Sequence, residues 1–191
     1  MKIKHPLLLR IFLSLIVLSI MSVLLVLGSR SVLKSLYPLR YTEFVETYAE
    51  ENNLSDSFVY AVIKCESSFK IDAVSYVGAR GLMQIMPDTF NWISAKLGEK
   101  ANYSQATDPE TSIKYGCYYY GYLSGRYGRV QEILAAYHAG RGNVDKWLKD
   151  RRYSSDGETL HTIPFPTTNK YVKKVMLTEN IYQKLYFRKE Q

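Results

Sequence analysis

"ESSFKIDAVSYVGARGLMQIMPDT", residues 66–89, sets one carboxylate at the end of an apolar run, then a glycine-rich turn at Gly78 and Gly81, then Pro87. The run before it, "LSDSFVYAVIKCES" (54–67), places Phe58, Val62 and Cys65 on one face at helical spacing. Ser55 suits the N-cap and Asp56 the first turn. Glu66 therefore falls at the C-terminal end of a helix, where partial negative charge on the carbonyls raises the pKa of a carboxylate. Phe69 and Met83 push the same way if they pack on it. A carboxylic acid kept protonated near neutral pH is what protonation of a glycosidic oxygen requires. The plainer reading is a solvated charge at a helix end, and a lone glutamate leaves both readings open.

Working outward, the signals are those of an all-α domain. A helix is expected after Pro87. "DPETSIKYGCYYYGYLSGRYG" (108–128) opens with Asp108 as cap and Pro109 at the first helical position, with Gly128 as its stop. "RVQEILAAYHAG" (129–140) predicts a helix ending at Gly140, and "GNVDKWLKD" (142–150) another. "TTNKYVKKVMLTENIYQKLYF" (167–187) predicts a long last helix capped by Thr167 or Thr168. No stretch alternates long enough for a sheet, although 78–84 would admit a short hairpin. Seventeen tyrosines suit a sugar-stacking groove, but "YGCYYYGY" (115–122) is expected to be mainly core.

The N-terminus differs in kind. "IFLSLIVLSIMSVLLVLG" (11–28) runs eighteen residues without a charge. At helical rise this reaches ~27 Å, close to the ~30 Å of a bilayer core. The run is long for a signal peptide, and no small-residue cleavage site follows it. The expectation is a basic cytoplasmic tail (1–10), a single transmembrane helix (11–28), a juxtamembrane linker (29–44) and a catalytic domain (45–185) outside the cell membrane. Three basic residues stand on each side of the run, so charge does not decide its orientation. Of the net charge of +7, six units come from the first forty residues, which carry no acid. Residues 41–191 are thus nearly neutral, which removes the support for nucleic-acid binding.

Cys65 and Cys117 allow a disulfide or two buried thiols. His5, His138 and His161 show no metal-ligand spacing, no phosphate loop is present, and no cofactor is implied.

Four segments together form a specific pattern: "ESSFKIDAVSYVGARGLMQIMPDT", the helix "DPETSIKYG" (108–116), "AAYHAGRGNVDKWL" (135–148) and "IPFPTTNKYVKKV" (163–175). They resemble the lytic transglycosylases with a soluble-transglycosylase domain, over roughly residues 45–185. The resemblance implies an α-helical, goose-type-lysozyme-like fold that cleaves peptidoglycan between N-acetylmuramic acid and N-acetylglucosamine and leaves 1,6-anhydro ends. It implies Glu66 as the single acid/base and Ser75 as a serine that polarises substrate or orients the glutamate. Gln84 and Met86 match groove-lining positions, and Tyr137 and Tyr171 aromatic positions near the acid.

The residues agree in kind, because the nearest acids in sequence, Asp72 and Asp88, sit in no strong motif. A one-carboxylate mechanism fits better than the paired carboxylates of a hydrolase. Two departures stand out. His138 replaces the family's asparagine in A-Y-N-A-G. Thr167 stands where a supporting glutamate is usual, with Asn169 in place of an arginine. These keep two alternatives in view: a hydrolytic muramidase, and a weakly active glycan-binding wall scaffold.

Overall fold

Capping residues and apolar stripes of this kind should close into short helices joined by tight turns, and they do. The structure, a computed structural model, describes residues 5–187 without the side chains of residues 5–8, 23–27 and 29. It divides into two compact units, Met1–Pro38 and Leu39–Gln191.

The first unit is one helix, α1 (His5–Leu36). Residues 29–36, expected as linker, continue it, because nothing between Gly28 and Pro38 breaks a helix. The described apolar side chains from Leu9 to Met21 are 40–69% exposed. Much of the expected basic tail, and five side chains within the expected span, lie outside the described residues. Among the described residues no helix is long and apolar enough to cross a membrane.

The second unit is all-helical: α2 (Thr42–Glu51), α3 (Asp56–Glu66), α4 (Pro87–Lys96), a 3₁₀ turn (Tyr103–Thr107), α5 (Pro109–Ser124), α6 (Val130–Ala139), α7 (Arg141–Lys149) and α8 (Pro166–Tyr182), followed by a π turn (Gln183–Phe187). Ser55 caps α3, accepting the Phe58 N–H at 3.3 Å, and Asp108 caps α5 through the Thr111 N–H at 2.8 Å.

Two expected boundaries moved. Helix α5 ends at Ser124 with Gly125 as its C-cap, short of Gly128. There Tyr127 is drawn inward, its hydroxyl 2.8 Å from Asp145 and 3.2 Å from the Arg141 carbonyl. Helix α8 starts at Pro166 with Phe165 as its cap. Thr167 is exposed and Thr168 fully buried in the first turn, so neither caps. The hairpin near 78–84 reduces to isolated bridges, Val74 with Arg80 and Arg80 with Ile85, and no strand forms among the described residues.

Helix α3 packs on α8, α6 packs on α7 and α8, and α2 packs on α5. The core is rich in tyrosine: Tyr60, Tyr115, Tyr120 and Tyr182 are at most 1% exposed. Only half of the "YGCYYYGY" segment joins it, since Tyr118, Tyr119 and Tyr122 stay partly exposed. Cys65 and Cys117 are both free thiols.

Two glycines let the loop between α3 and α4 lie flat on α5. Gly81 has φ +79°, and a Cβ there would sit 1.8 Å from the Ala106 carbonyl oxygen. A Cβ on Gly116 would sit 2.2 Å from the Met83 sulfur. Backbone cannot retreat as a flexible side-chain end can. Gly81→Ala is therefore expected to destabilise the second unit by about 3 kcal/mol or more. Chemical denaturation of residues 39–191 would check this, and an unchanged midpoint would refute it.

Candidate active site

Glu66 is the last residue of α3, and the chain turns sharply behind it. Ser67 is the C-cap, donating its hydroxyl to the Ile63 carbonyl at 3.2 Å and accepting the Phe69 N–H at 3.1 Å. Ser68 and Phe69 then adopt left-handed φ of 52° and 65°, and Phe69 is buried near the Tyr60 ring. Two consecutive left-handed residues without glycine are costly, and Phe69 burial offsets the cost.

Helix α8 supplies the surroundings of the carboxylate. Burial raises the Glu66 pKa to about 7, while a hydrogen bond from Tyr171 and the charge of Lys174 act in the opposite direction. Lys174 also donates from Nζ to the Cys65 carbonyl at 3.0 Å, placing a cation on the negative end of α3. Among the described residues no second carboxylate contributes to the shift. The protonated state arises from desolvation, and the helix end that suggested it is partly neutralised by Lys174.

An aromatic column backs Tyr171. Its hydroxyl lies 3.0 Å from that of Tyr120, and Tyr120 stacks on Tyr137 with ring centroids 4.1 Å apart and 6° between planes. Phe58 meets Tyr120 edge-on at 5.0 Å. Tyr137 donates to the Met83 carbonyl at 2.6 Å and so ties the column to the loop before α4. His138 lies against the Tyr171 ring, centroids 4.6 Å apart, with its Nδ1 3.0 Å from the Thr168 hydroxyl. Partial burial lowers the His138 pKa. The histidine thus finds its partner in Thr168, the residue that follows the departure at Thr167.

Ser75 and Gln84 are placed differently. The Ser75 hydroxyl accepts the Ala79 N–H at 2.9 Å, closing the 75–79 turn. Gln84, at φ 49°, donates to the carbonyls of Ala73 and Gly81 at 3.1 and 3.0 Å. Both brace the loop, and neither hydrogen-bonds Glu66 among the described residues. Met86 is 40% exposed at the N-cap of α4. The fold thus gathers Glu66, Tyr171, His138 and Tyr137 into one cluster and sets Ser75, Gln84 and Met86 on the adjoining loop. Thr168, Lys174 and Tyr120 had no separate signal in the sequence. Only the i, i+3 spacing of Tyr171 and Lys174, which sets them on one face of a helix, hinted at a shared role.

Residues 43–159 match the Transglycosylase SLT domain. The chain belongs to that family. It is 33% identical over 163 residues to the soluble lytic murein transglycosylase of Salmonella typhimurium, covering 83% of this chain and 25% of the relative. The membrane-bound lytic murein transglycosylase C of Edwardsiella ictaluri is 28% identical over 76% of this chain and 47% of its own. The complex of the 70-kDa soluble lytic transglycosylase with bulgecin A superposes with a TM-score of 0.73 at 30% identity, over 82% of this chain and 26% of that one. The superposition places the fold among the lysozyme-like transglycosylases, and the chain spans about a quarter of the length of the soluble relatives. Helix α8, which carries Tyr171 and Lys174, lies beyond the matched segment of the family.

A carboxyl whose folded pKa is raised from 4.5 to about 7 is destabilising when ionised. The stability it permits is present below the unfolded value and is lost as pH rises through the folded one. Glu66→Gln is expected to match the parent at pH 4 and to exceed it by up to about 3 kcal/mol at pH 8. A gap that does not grow with pH in denaturant unfolding would contradict a desolvated Glu66. In the parent, Tyr171→Phe is expected to move the Glu66 midpoint upward in a carboxyl NMR titration, because it removes a donor that favours the ionised form.

Proposed function

We propose that this chain is a peptidoglycan lytic transglycosylase with Glu66 as its single acid/base. The observation that supports this best is a carboxyl that burial pushes up to about 7, with no second carboxylate acting on it among the described residues. Protonated Glu66 donates to the oxygen linking C1 of N-acetylmuramic acid to O4 of N-acetylglucosamine. The C1–O4 bond breaks, and the N-acetylglucosamine leaves with a free 4-hydroxyl. The muramoyl 6-hydroxyl then bonds to C1 and returns its proton to the Glu66 carboxylate. No water is consumed, so a second carboxylate has no task.

Tyr171 and Lys174 steady the ionised form between these steps. Tyr137 and His138 line the groove beside the acid, and Ser75, Gln84 and Met86 shape the loop on its other side. The His138–Thr168 pair takes over part of the bracing that a glutamate at position 167 would supply. The chain is read as a basic tail (1–10), a membrane span (11–28), a linker (29–44) and a catalytic domain (45–185). The exposed apolar side chains of α1 support a single-pass anchor, and a peptidoglycan substrate puts the domain on the extracytoplasmic side. Membrane lipid and glycan strands are then its two partners.

Sacculi digested with the full chain in detergent should yield 1,6-anhydromuramoyl ends by mass spectrometry. Reducing muramic acid would favour the hydrolytic muramidase, and an inactive protein that still binds sacculi the wall scaffold. Glu66→Gln should lower turnover by at least ~100-fold. Activity should fall about tenfold per pH unit above pH 7, as the acid ionises. Burial moves the His138 titration below its usual value, so His138→Asn should leave the alkaline limb in place.

A further inference from the structure

The contact between His138 and Thr168 fixes more than packing. His138 is the penultimate residue of α6, and its ring reaches across to Thr168 in the first turn of α8. The two partners differ in their access to water. Thr168 is fully buried, whereas His138 is exposed. The imidazole lies against the Tyr171 ring and turns Nδ1 to the Thr168 hydroxyl at 3.0 Å. The edge that carries Nε2 is therefore the outward one, and Nε2 has no hydrogen-bond partner among the described residues.

This arrangement places the protons. The contact with Nδ1 is the one hydrogen bond of the Thr168 side chain among the described residues. A threonine hydroxyl has a single proton to donate and lone pairs to accept with. If Nδ1 carried the ring proton, the hydroxyl would have to accept it, and its own proton would point into the core without an acceptor. A buried donor left unmatched is penalised more heavily than a made bond is rewarded. If the hydroxyl donates to a bare Nδ1 instead, every polar atom on the buried side is satisfied. The ring proton then resides on Nε2, at the exposed edge. Burial lowers the His138 pKa, which keeps the ring neutral and Nδ1 able to accept. The amide of an asparagine offers a donor or an acceptor according to how it is turned. A histidine with its acceptor nitrogen occupied offers a donor alone.

We propose, resting on the glycan-cleaving reading above, that Thr168 is a positioning residue that fixes His138 as the Nε2–H tautomer, so that the imidazole presents a donor to an acceptor oxygen of the saccharide bound beside Glu66. Tyr171 joins the two halves of this arrangement, because its hydroxyl hydrogen-bonds the Glu66 carboxyl and its ring carries the imidazole.

Long-range proton–nitrogen correlation spectra of the full chain in detergent micelles at pH 8 read the tautomer through the carbon-bound ring protons, without substrate. The signals lost in His138→Asn assign His138 among the three histidines. The parent is expected to favour Nε2–H by at least ~10:1. Thr168→Val, which removes the hydroxyl at similar size, should lower that ratio at least ~fivefold, and Thr168→Ser should keep it. Titrating Glu66→Gln protein with a peptide-free tetrasaccharide of alternating N-acetylglucosamine and N-acetylmuramic acid should shift the His138 Nε2 signal. Adding Thr168→Val should weaken that binding ~fivefold, and adding Thr168→Ser should restore it. The parent ratio and the Nε2 shift need no change at position 168, so they decide even if Thr168→Val does not fold. A proton on Nδ1, or a ratio that Thr168→Val leaves unchanged, overturns the tautomer assignment. Binding that moves other signals but not Nε2 overturns the donor and leaves the glycan reading standing. No binding of the tetrasaccharide overturns both.

Discussion

The burial of the Glu66 carboxyl where the end of α3 meets α8 is the constraint on which the rest of the site depends. A carboxylate held partly out of water is costly, and burial raises the Glu66 pKa so that the group keeps its proton to nearly neutral pH. Everything around it moderates that cost without abolishing it. Tyr171 offers one hydrogen bond, Lys174 a nearby charge, and neither outweighs desolvation. A stronger partner, such as a salt-bridged arginine, would pull the carboxyl back toward an ordinary acid and remove its capacity to donate a proton.

That balance needs rigid neighbours. The Tyr171–Tyr120–Tyr137 column runs from the acid through the core to the Met83 carbonyl, so the position of α8 and the shape of the loop before α4 are coupled. The loop in turn rests on α5 because Gly81 and Gly116 lack side chains. Hydroxyl-bearing rings suit such a column, since each fills core volume with its ring and spends its polar tip on the next member. The same column touches the partly exposed Tyr119 through Tyr137, so rings that a composition count groups together divide between core and surface.

The departures at His138 and Thr167 show how a site absorbs substitution. In sequence each looked like a separate loss. In the fold His138 packs its ring on Tyr171 and turns Nδ1 to Thr168, so the hydroxyl that burial of Thr168 would strand has a partner. Histidine held this way is biased toward its neutral form by partial burial.

By itself, the sequence determined the local part. Ser55, Asp108, Pro109 and Gly140 mark helix ends correctly, because a cap, a proline or a left-handed glycine acts within one turn of chain. The position of Glu66 at the end of a helix was legible for the same reason. The motif around it pointed to the family without any geometry. Tertiary structure alone decided the rest. It set the origin of the Glu66 shift, the Lys174 cation on α3 and the His138–Thr168 pair. It also moved the C-terminal end of α5 and the start of α8, where Tyr127 and Thr168 are drawn into the core. Each of these joins residues from 14 to more than 100 positions apart in the chain, as in the Lys174 contact with Cys65. Side-chain type and spacing report on neighbours one turn away, whereas desolvation depends on which distant surfaces close over a group.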